Sequence, residues 1–153
     1  MKRFAFTGAV ILSSLLSFNA MAAQPSPAEQ AAAATENRQA VFKLLSVANG
    51  PLGGMARGAP FDAAAAKQAA ERIKMLAGMI PELFAMDTTS YDVDTRAADT
   101  IWSSKADFDQ LAQDLVTGAD AFLASATAEN LRQAFGQNIG SKCGACHDRF
   151  RLD

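Results

Sequence analysis

The sequence predicts an all-α fold, an antiparallel four-helix bundle. Apolar residues recur at the i, i+3, i+4 spacing of an amphipathic helix in four separate segments. No segment alternates apolar and polar residues for long enough to indicate a strand, and alanine, the best helix former, is abundant. Four helices with mostly short connections are typical of an antiparallel bundle.

The first two helices are predicted after a loose leader that contains Pro25. The first runs from about Ala28 to Leu52, where glycine and proline at positions 50 to 54 weaken it. Its apolar positions are Val41, Leu44, Leu45, Ala48 and Leu52. The second begins at an Asp62 N-cap and runs to about Met86, with Pro81 expected to kink or end it. Its apolar positions are Ile73, Leu76, Ala77, Ile80, Leu83 and Phe84.

The third and fourth helices follow a polar, irregular stretch at residues 87–100. Ser103 or Ser104 is the expected N-cap of the third helix, and Thr127 that of the fourth. The inward positions of the third are Phe108, Leu111, Leu115, Phe122 and Leu123. Those of the fourth are Leu131, Ala134, Phe135, Asn138 and Ile139, and the same period extends to Cys143 and Cys146.

The motif Cys143-Gly144-Ala145-Cys146-His147 contains both cysteines and the single histidine of the chain. C-x-x-C-H is the attachment signature of c-type haem. Two thiols at this spacing can form thioethers with one porphyrin, and the next imidazole is then held as an axial iron ligand. The sequence therefore predicts one covalently bound haem c, with Cys143 and Cys146 as its links and His147 as the metal ligand.

Two other uses of the motif were weighed. Zinc takes about four N or S ligands, and only three such side chains occur in the chain. A bare dithiol or disulfide is the remaining alternative, but the usual redox C-x-x-C sits near a βαβ pattern, and none is visible.

The N-terminal residues predict a secretory signal peptide over residues 1–22. Met1-Lys2-Arg3 is a basic start, an apolar stretch follows to about Phe18, and Ala20-Met21-Ala22 is an A-x-A-like cleavage site. A membrane span needs about 20 apolar residues, so this run is short for one, and an uncleaved anchor is the alternative. Bacterial c-type haem is attached outside the cytoplasm, which agrees with export to the periplasm.

Cleavage after Ala22 leaves residues 23–153, which fit one domain with a single core. It removes two basic residues and no acid, so the formal net charge changes from −2 to −4. An acidic chain with no basic run is a poor candidate for binding nucleic acid or, after cleavage, an anionic membrane.

The chain resembles the cytochrome c′ family, the class II c-type cytochromes with a C-terminal haem on a four-helix bundle. The resemblance spans almost the whole mature chain. It is carried by residues 38–44 (RQAVFKL), 55–58 (MARG), 60–62 (PFD), 101–102 (IW), 131–136 (LRQAFG) and 143–148 (CGACHD), with Arg151. Class I cytochromes carry the motif near the start of the chain, so its position here argues against them.

The resemblance implies further haem contacts. Arg38 and Gln39 correspond to a pair at the haem propionates, where a guanidinium can make charge-assisted hydrogen bonds. On sequence alone they are an ordinary solvated pair. Arg96 corresponds roughly to a position at the haem edge, and Trp102 belongs to the Ile-Trp entry of the third helix. Arg151 lies one turn beyond His147 and by resemblance borders the space beside that histidine; the alternative is a charged terminal residue.

Phe42 by resemblance covers the distal face of the iron. Phenylalanine cannot ligate iron, so the resemblance implies a five-coordinate iron held by His147 alone. Without a distal hydrogen-bond donor, NO and CO are the expected ligands. The related c-556 type has a ligating methionine at this position. Four methionines remain after cleavage as candidate sixth ligands: Met55, Met75, Met79 and Met86. Methionines on a helix more often fill gaps in the core.

Two functions follow from these observations. The first is a five-coordinate binder of NO or CO that also takes part in one-electron transfer with an unidentified redox partner. The alternative is a low-spin, c-556-like electron carrier. A peroxidase is not expected, because the single histidine is the axial ligand. The resemblance also implies a homodimer through the first two helices, with a monomer as the alternative.

Overall fold

A computed structural model describes residues 24–153. The described residues form a four-helix bundle whose fourth member is built from two α-helices and a π-helical turn between them. The elements are α1 (Pro27–Ala56), α2 (Ala63–Leu83), α3 (Thr100–Ser103), α4 (Lys105–Ser125), α5 (Leu131–Phe135), the π-helical turn (Gly136–Gly140) and α6 (Ser141–Phe150). The predicted fold class is confirmed. The proposed signal peptide and its cleavage site lie outside the described residues.

Helix α1 begins at a capping box and is longer than predicted. The Ser26 hydroxyl accepts from the Glu29 N–H, and the Glu29 carboxylate accepts from the Ser26 N–H. The helix continues past Pro51 to Ala56. Pro51 is exposed, and so is Val47, whose carbonyl loses its i+4 donor there, so water can replace the lost hydrogen bond. Burial of Leu52 just beyond the proline favours continuing the helix.

Asp62 is the N-cap of α2, as predicted, and its carboxylate accepts from the Ala65 N–H at 2.9 Å. The helix passes Pro81 and ends at Leu83, three residues before the predicted Met86. The residues after Leu83 leave the helix and offer carbonyl oxygens to other side chains, as described below.

The predicted start of the fourth helix is wrong. Thr127 is not its N-cap, because α5 begins only at Leu131. Instead, the Asn130 amide accepts from the Thr127 N–H at 2.8 Å and donates to the Ser125 carbonyl at 2.9 Å. Asn130 thereby closes the turn after α4. The third predicted helix corresponds to α4. Ser104 directly precedes it, as predicted, but the Ser104 hydroxyl makes no capping hydrogen bond.

A row of aromatic rings crosses the bundle and joins all four of its members. Phe42 of α1 lies 6.2 Å from Phe84, Phe84 lies 4.7 Å from Phe108 of α4, and Phe108 lies 5.3 Å from Phe150 of α6. Pairs at these separations stabilise beyond the area that they bury. The row forms one wall of the cavity described below.

The C-terminal residues are tied to the loop that precedes α3. The Ala98 N–H donates to the Phe150 carbonyl at 3.0 Å, and the Leu152 N–H donates to the Arg96 carbonyl at 2.8 Å. These bonds form an isolated antiparallel bridge between Ala97 and Arg151. They fix Arg96 and Arg151 beside each other at the end of α6.

Among residues 24–153, no helix has the length and apolar character needed to span a bilayer.

Candidate functional site

A cavity of about 620 Å³ lies between the helices, and the C-x-x-C-H motif borders it. Most of its wall is apolar. Helix α1 contributes Arg38, Gln39, Phe42, Leu45, Ser46 and Asn49 to the wall. Helices α2 and α3 and the loops contribute Ile73, Ile80, Phe84, Thr95, Arg96, Ala97, Ile101 and Arg151. Helices α4 and α6 contribute Phe108, Leu111, Ala112, Leu115, Lys142, Cys143, Cys146, His147 and Phe150.

Helix α6 presents both cysteines and His147 to this cavity. Their spacing of i, i+3 and i+4 places them on one face of the helix, and all three are partly buried. No disulfide joins the two cysteines, so both are available for thioether attachment. Burial raises the pKa of the Cys143 thiol, and burial followed by the neighbouring Cys143 raises the pKa of Cys146. Both sulfurs are therefore protonated at neutral pH and face an apolar space.

His147 has one charged neighbour within hydrogen-bond distance. Its Nδ1 lies 3.2 Å from Nη1 of Arg151, one turn further along the chain. A guanidinium only donates, so this contact uses the Nδ1 lone pair. Burial, and then the positive charge of Arg151, lower the pKa of His147, and Asp148 opposes them. The imidazole is thus held neutral. While Nδ1 accepts from Arg151 the ring proton lies on Nε2, so this contact has to break before Nε2 can bind a metal.

The residues of the cavity fit a haem. Its volume falls within the range of about 300 to 1,000 Å³ that is typical of cofactor pockets. The wall contains no carboxylate and four basic side chains, those of Arg38, Arg96, Lys142 and Arg151. This positive charge complements the two propionates of a haem. Among residues 24–153, no three histidine, cysteine or carboxylate side chains are grouped so that they could hold a metal ion.

Arg38 is buried rather than solvated, with 3% of its surface exposed. Its guanidinium donates to the Leu83 carbonyl at 2.8 Å, the Met86 carbonyl at 2.6 Å and the Thr88 hydroxyl at 2.8 Å. It also lies 4.6 Å from the centre of the Phe84 ring. The interpretation of Arg38 as a solvated helical residue is therefore wrong. Arg38 lines the cavity, and its hydrogen bonds fix the chain after α2.

We expect Arg38→Ala to lower the free energy of unfolding by about 3 kcal/mol, because it leaves several acceptors in and near the core without their donor. Arg38→Lys should recover little, since an ammonium cannot reach three separated acceptors as a planar guanidinium does. Denaturant unfolding of the haem-loaded protein measures both. Arg72→Ala, which removes an exposed arginine of α2, is the control. Equal losses in the Arg38 and Arg72 variants would contradict this account.

The other predicted contacts divide between the rim and the interior. Gln39 and Arg96 are exposed at the rim, where Gln39 donates to the Asp94 carbonyl at 2.7 Å and Arg96 to the Leu152 carbonyl at 3.2 Å. Trp102 does not line the cavity. Its ring lies behind Phe84, at 6.1 Å, and its indole N–H donates to the carbonyls of Phe84 and Met86. Trp102 supports the wall from behind.

Phe42 and His147 line the same cavity from different helices, whereas the candidate methionines do not reach it. Met75 and Met79 are 64% and 44% exposed on α2. Met55 is buried, and its sulfur accepts from the Asp62 N–H at 3.3 Å. Met86 lies in the segment held by Arg38.

Sequence reasoning missed four polar residues of the cavity wall: Ser46, Asn49, Thr95 and Lys142. The Oδ1 atom of Asn49 is buried and has no hydrogen-bond partner. The signal for Asn49 was its spacing, since it follows Phe42 by seven residues and therefore shares its helical face.

A helical bundle whose last helix presents C-x-x-C-H to an apolar cavity defines a c-type haem protein. The family model described as Cytochrome C′ matches residues 33–151. Cytochrome c′ of Cereibacter sphaeroides is 34% identical over 148 residues, 94% of this chain and 97% of that protein. Cytochrome c-556 of Agrobacterium fabrum is 34% identical over 124 residues, 80% of this chain and 83% of that protein.

Solved structures agree. Cytochrome c prime from Shewanella frigidimarina superposes with a TM-score of 0.72 at 36% identity, covering 82% of this chain and 98% of that one. The structural model for oxidized Rhodopseudomonas palustris cytochrome c556 gives 0.71 at 27% identity, covering 78% and 96%. The chain belongs to the cytochrome c′ family. It binds haem c covalently and is an electron-carrying cytochrome.

Proposed function

We propose that this chain is a periplasmic cytochrome whose haem iron has His147 as its single protein ligand and binds NO or CO at the other face. The observation that carries the proposal is the composition of the cavity wall. A sixth protein ligand would be a thioether or an imidazole. His147 is the single histidine, and none of the four methionines in the described part of the chain lines the cavity.

The haem, when bound, supplies one-electron redox chemistry and an open coordination position. Phe42 supplies a distal wall that neither ligates nor donates a hydrogen bond, which favours NO and CO over O₂. Two polar residues of α1 also line the cavity, Ser46 and Asn49, about 6 Å and about 10 Å along the helix from Phe42. We assign the face over the iron to the Phe42 ring, which is the largest apolar side chain of this helix in the wall.

The rim residues are proposed to hold the propionates. Gln39, Arg96 and Arg151 line the cavity and are exposed to solvent, whereas Arg38 is buried in the same wall. Because Arg38 already donates to three protein acceptors, its contribution is mainly a positive charge, while Arg96 and Gln39 are exposed and can turn toward a carboxylate. Trp102 acts through Phe84 rather than by contact.

Export and assembly belong to the same proposal. Residues 1–22 serve as a signal peptide, and residues 23–153 form the haem domain. Electron exchange takes place with a redox partner that is still unidentified, and we assign no enzymatic activity. Exposed apolar side chains on α1 and α2 support a homodimer through these helices: Leu44, Val47, Met75 and Met79.

A low-spin electron carrier is the second candidate, because relatives named cytochrome c-556 and cytochrome c-554 match the chain at 33–34% identity. Absorption spectra of the ferric and ferrous protein at neutral pH distinguish the two. High-spin spectra are expected. A low-spin spectrum with a methionine–iron charge-transfer band would instead establish a sixth ligand.

Arg151 is proposed to influence the proximal side, because its guanidinium can hold the His147 imidazole through Nδ1 when that ring is not on the iron. NO weakens the bond opposite to it, so NO binding can release His147. We expect Arg151→Ala to change the ratio of six- to five-coordinate NO-bound ferrous protein and to leave the CO association rate nearly unchanged. Stopped-flow absorption spectra measure both.

Arg149→Ala is the matched control, because Arg149 lies on the same helix but pairs with Asp107 at 2.7 Å. It should behave like the wild type. An unchanged ratio in the Arg151 variant would mean that Arg151 is only a charged terminal residue.

A further inference from the structure

Gly118 occupies a position where glycine is costly. It is buried in the interior of α4, where glycine is less favourable than alanine by about 1 kcal/mol. Helix propensity therefore does not account for it, and the reason has to come from what packs against it.

The backbone of the haem-bearing segment packs against Gly118. A Cβ atom at this position would overlap the carbonyl oxygen of Asn138 and lie 3.0 Å from its carbonyl carbon. The obstacle is main chain, so it cannot rotate away as a side chain would. By contrast, nothing lies within 4 Å of a Cβ built at Gly78 in α2 or at Gly144 in the motif.

Asn138 is the central residue of the π-helical turn, Gly136–Gly140. The Ser141 N–H donates to the Gly136 carbonyl, an i→i+5 bond that places one more residue in this turn than an α-helix has. An extra residue rotates everything after it by about 100° relative to an unbroken α-helix of the same sequence. Cys143 follows Asn138 by five residues, so the turn sets which way the motif faces.

We propose that Gly118 is a positioning residue for the haem. Its lack of a side chain lets the Asn138 carbonyl seat against α4, in the manner of the Cα–H···O contacts between packed helices. This packing contact stabilises the π-helical form of the turn, and that form directs Cys143, Cys146 and His147 into the cavity. The inference depends on covalent haem attachment and not on the ligand that the iron takes.

The test compares Gly118→Ala with Gly78→Ala, each produced as the exported, haem-loaded protein. Mass spectrometry gives the fraction of chains that carry covalent haem, and absorption spectra report the iron–histidine geometry. We expect Gly118→Ala to lower the loaded fraction several-fold and to shift the spectrum of the remainder. Gly78→Ala should match the wild type in both measurements.

Deleting Gln137, an exposed residue of the π turn, provides a rescue. The deletion removes the extra residue, so the turn becomes α-helical without rotating α6 relative to α5. The added methyl group at position 118 should then be tolerated, and the double variant should regain haem loading and spectrum. The proposal is overturned if Gly118→Ala loads haem with an unchanged spectrum, even at a lower melting temperature. It is also overturned if the Gln137 deletion restores nothing.

Discussion

Replacing both Cys143 and Cys146 by serine is expected to abolish covalent haem and, with it, the stable bundle. The apolar cavity of about 620 Å³ would then lose its tethered occupant. At about 24 cal/mol per Å³, leaving it empty costs at most about 15 kcal/mol, which is as large as the whole stability of a typical domain. The bundle must then collapse or unfold. Circular dichroism during thermal unfolding measures this loss.

Acidified acetone separates covalent from non-covalent haem in the same variant. It should extract any haem from the double-serine protein and none from the wild type. Ala145→Ser is the control, because it adds a hydroxyl at an exposed position between the cysteines and keeps both thiols. Extraction of haem from the wild type would refute thioether attachment.

Phe42→Met is expected to convert the ferrous haem to six-coordinate low spin, because a thioether at this place in the cavity wall can reach the iron. Phe42→Ala should keep the spin state high and raise the CO association rate several-fold, since the ring no longer covers the iron. Absorption spectra and flash photolysis measure the two effects.

Leu45→Met is the matched control for the distal assignment. Leu45 also lines the cavity from α1 but lies three residues further along the helix. It should leave the spin state unchanged. If Leu45→Met gives the low-spin form and Phe42→Met does not, the position over the iron belongs to Leu45. An unchanged CO rate in Phe42→Ala would likewise show that Phe42 does not cover the iron.

Local chemistry made part of the fold predictable. Asp62 is a cap because its carboxylate bonds an N–H three residues away, a relation that the sequence displays directly. The ends of α1 and α2 were less predictable. Burial of Leu52 favours continuing α1 beyond Pro51. Pro81 lies near the end of α2 but does not determine the residue at which that helix ends. Thr127 failed as a cap because the residues after it form a turn that Asn130 closes, so that α5 begins only at Leu131.

Arg38 shows why the site was harder to predict than the fold. The sequence alone indicated a solvated residue, because its acceptors Leu83 and Thr88 follow 45 and 50 residues later in the chain. No local pattern indicates that a guanidinium will find them. Trp102 was expected at the haem but lies behind Phe84, because its indole N–H donates to carbonyls 18 and 16 residues earlier in the chain.

The sequence by itself determined the helical class and the covalent haem, and it predicted His147 as the iron ligand, because apolar period and C-x-x-C-H spacing are properties of neighbouring residues. Only the tertiary structure decided where the other polar groups go. The burial of Arg38, the contact of Arg151 with Nδ1 of His147 and the approach of Asn138 to Gly118 all depend on how segments pack. Packing joins residues that are distant in the chain, and a single sequence carries no local sign of those pairings.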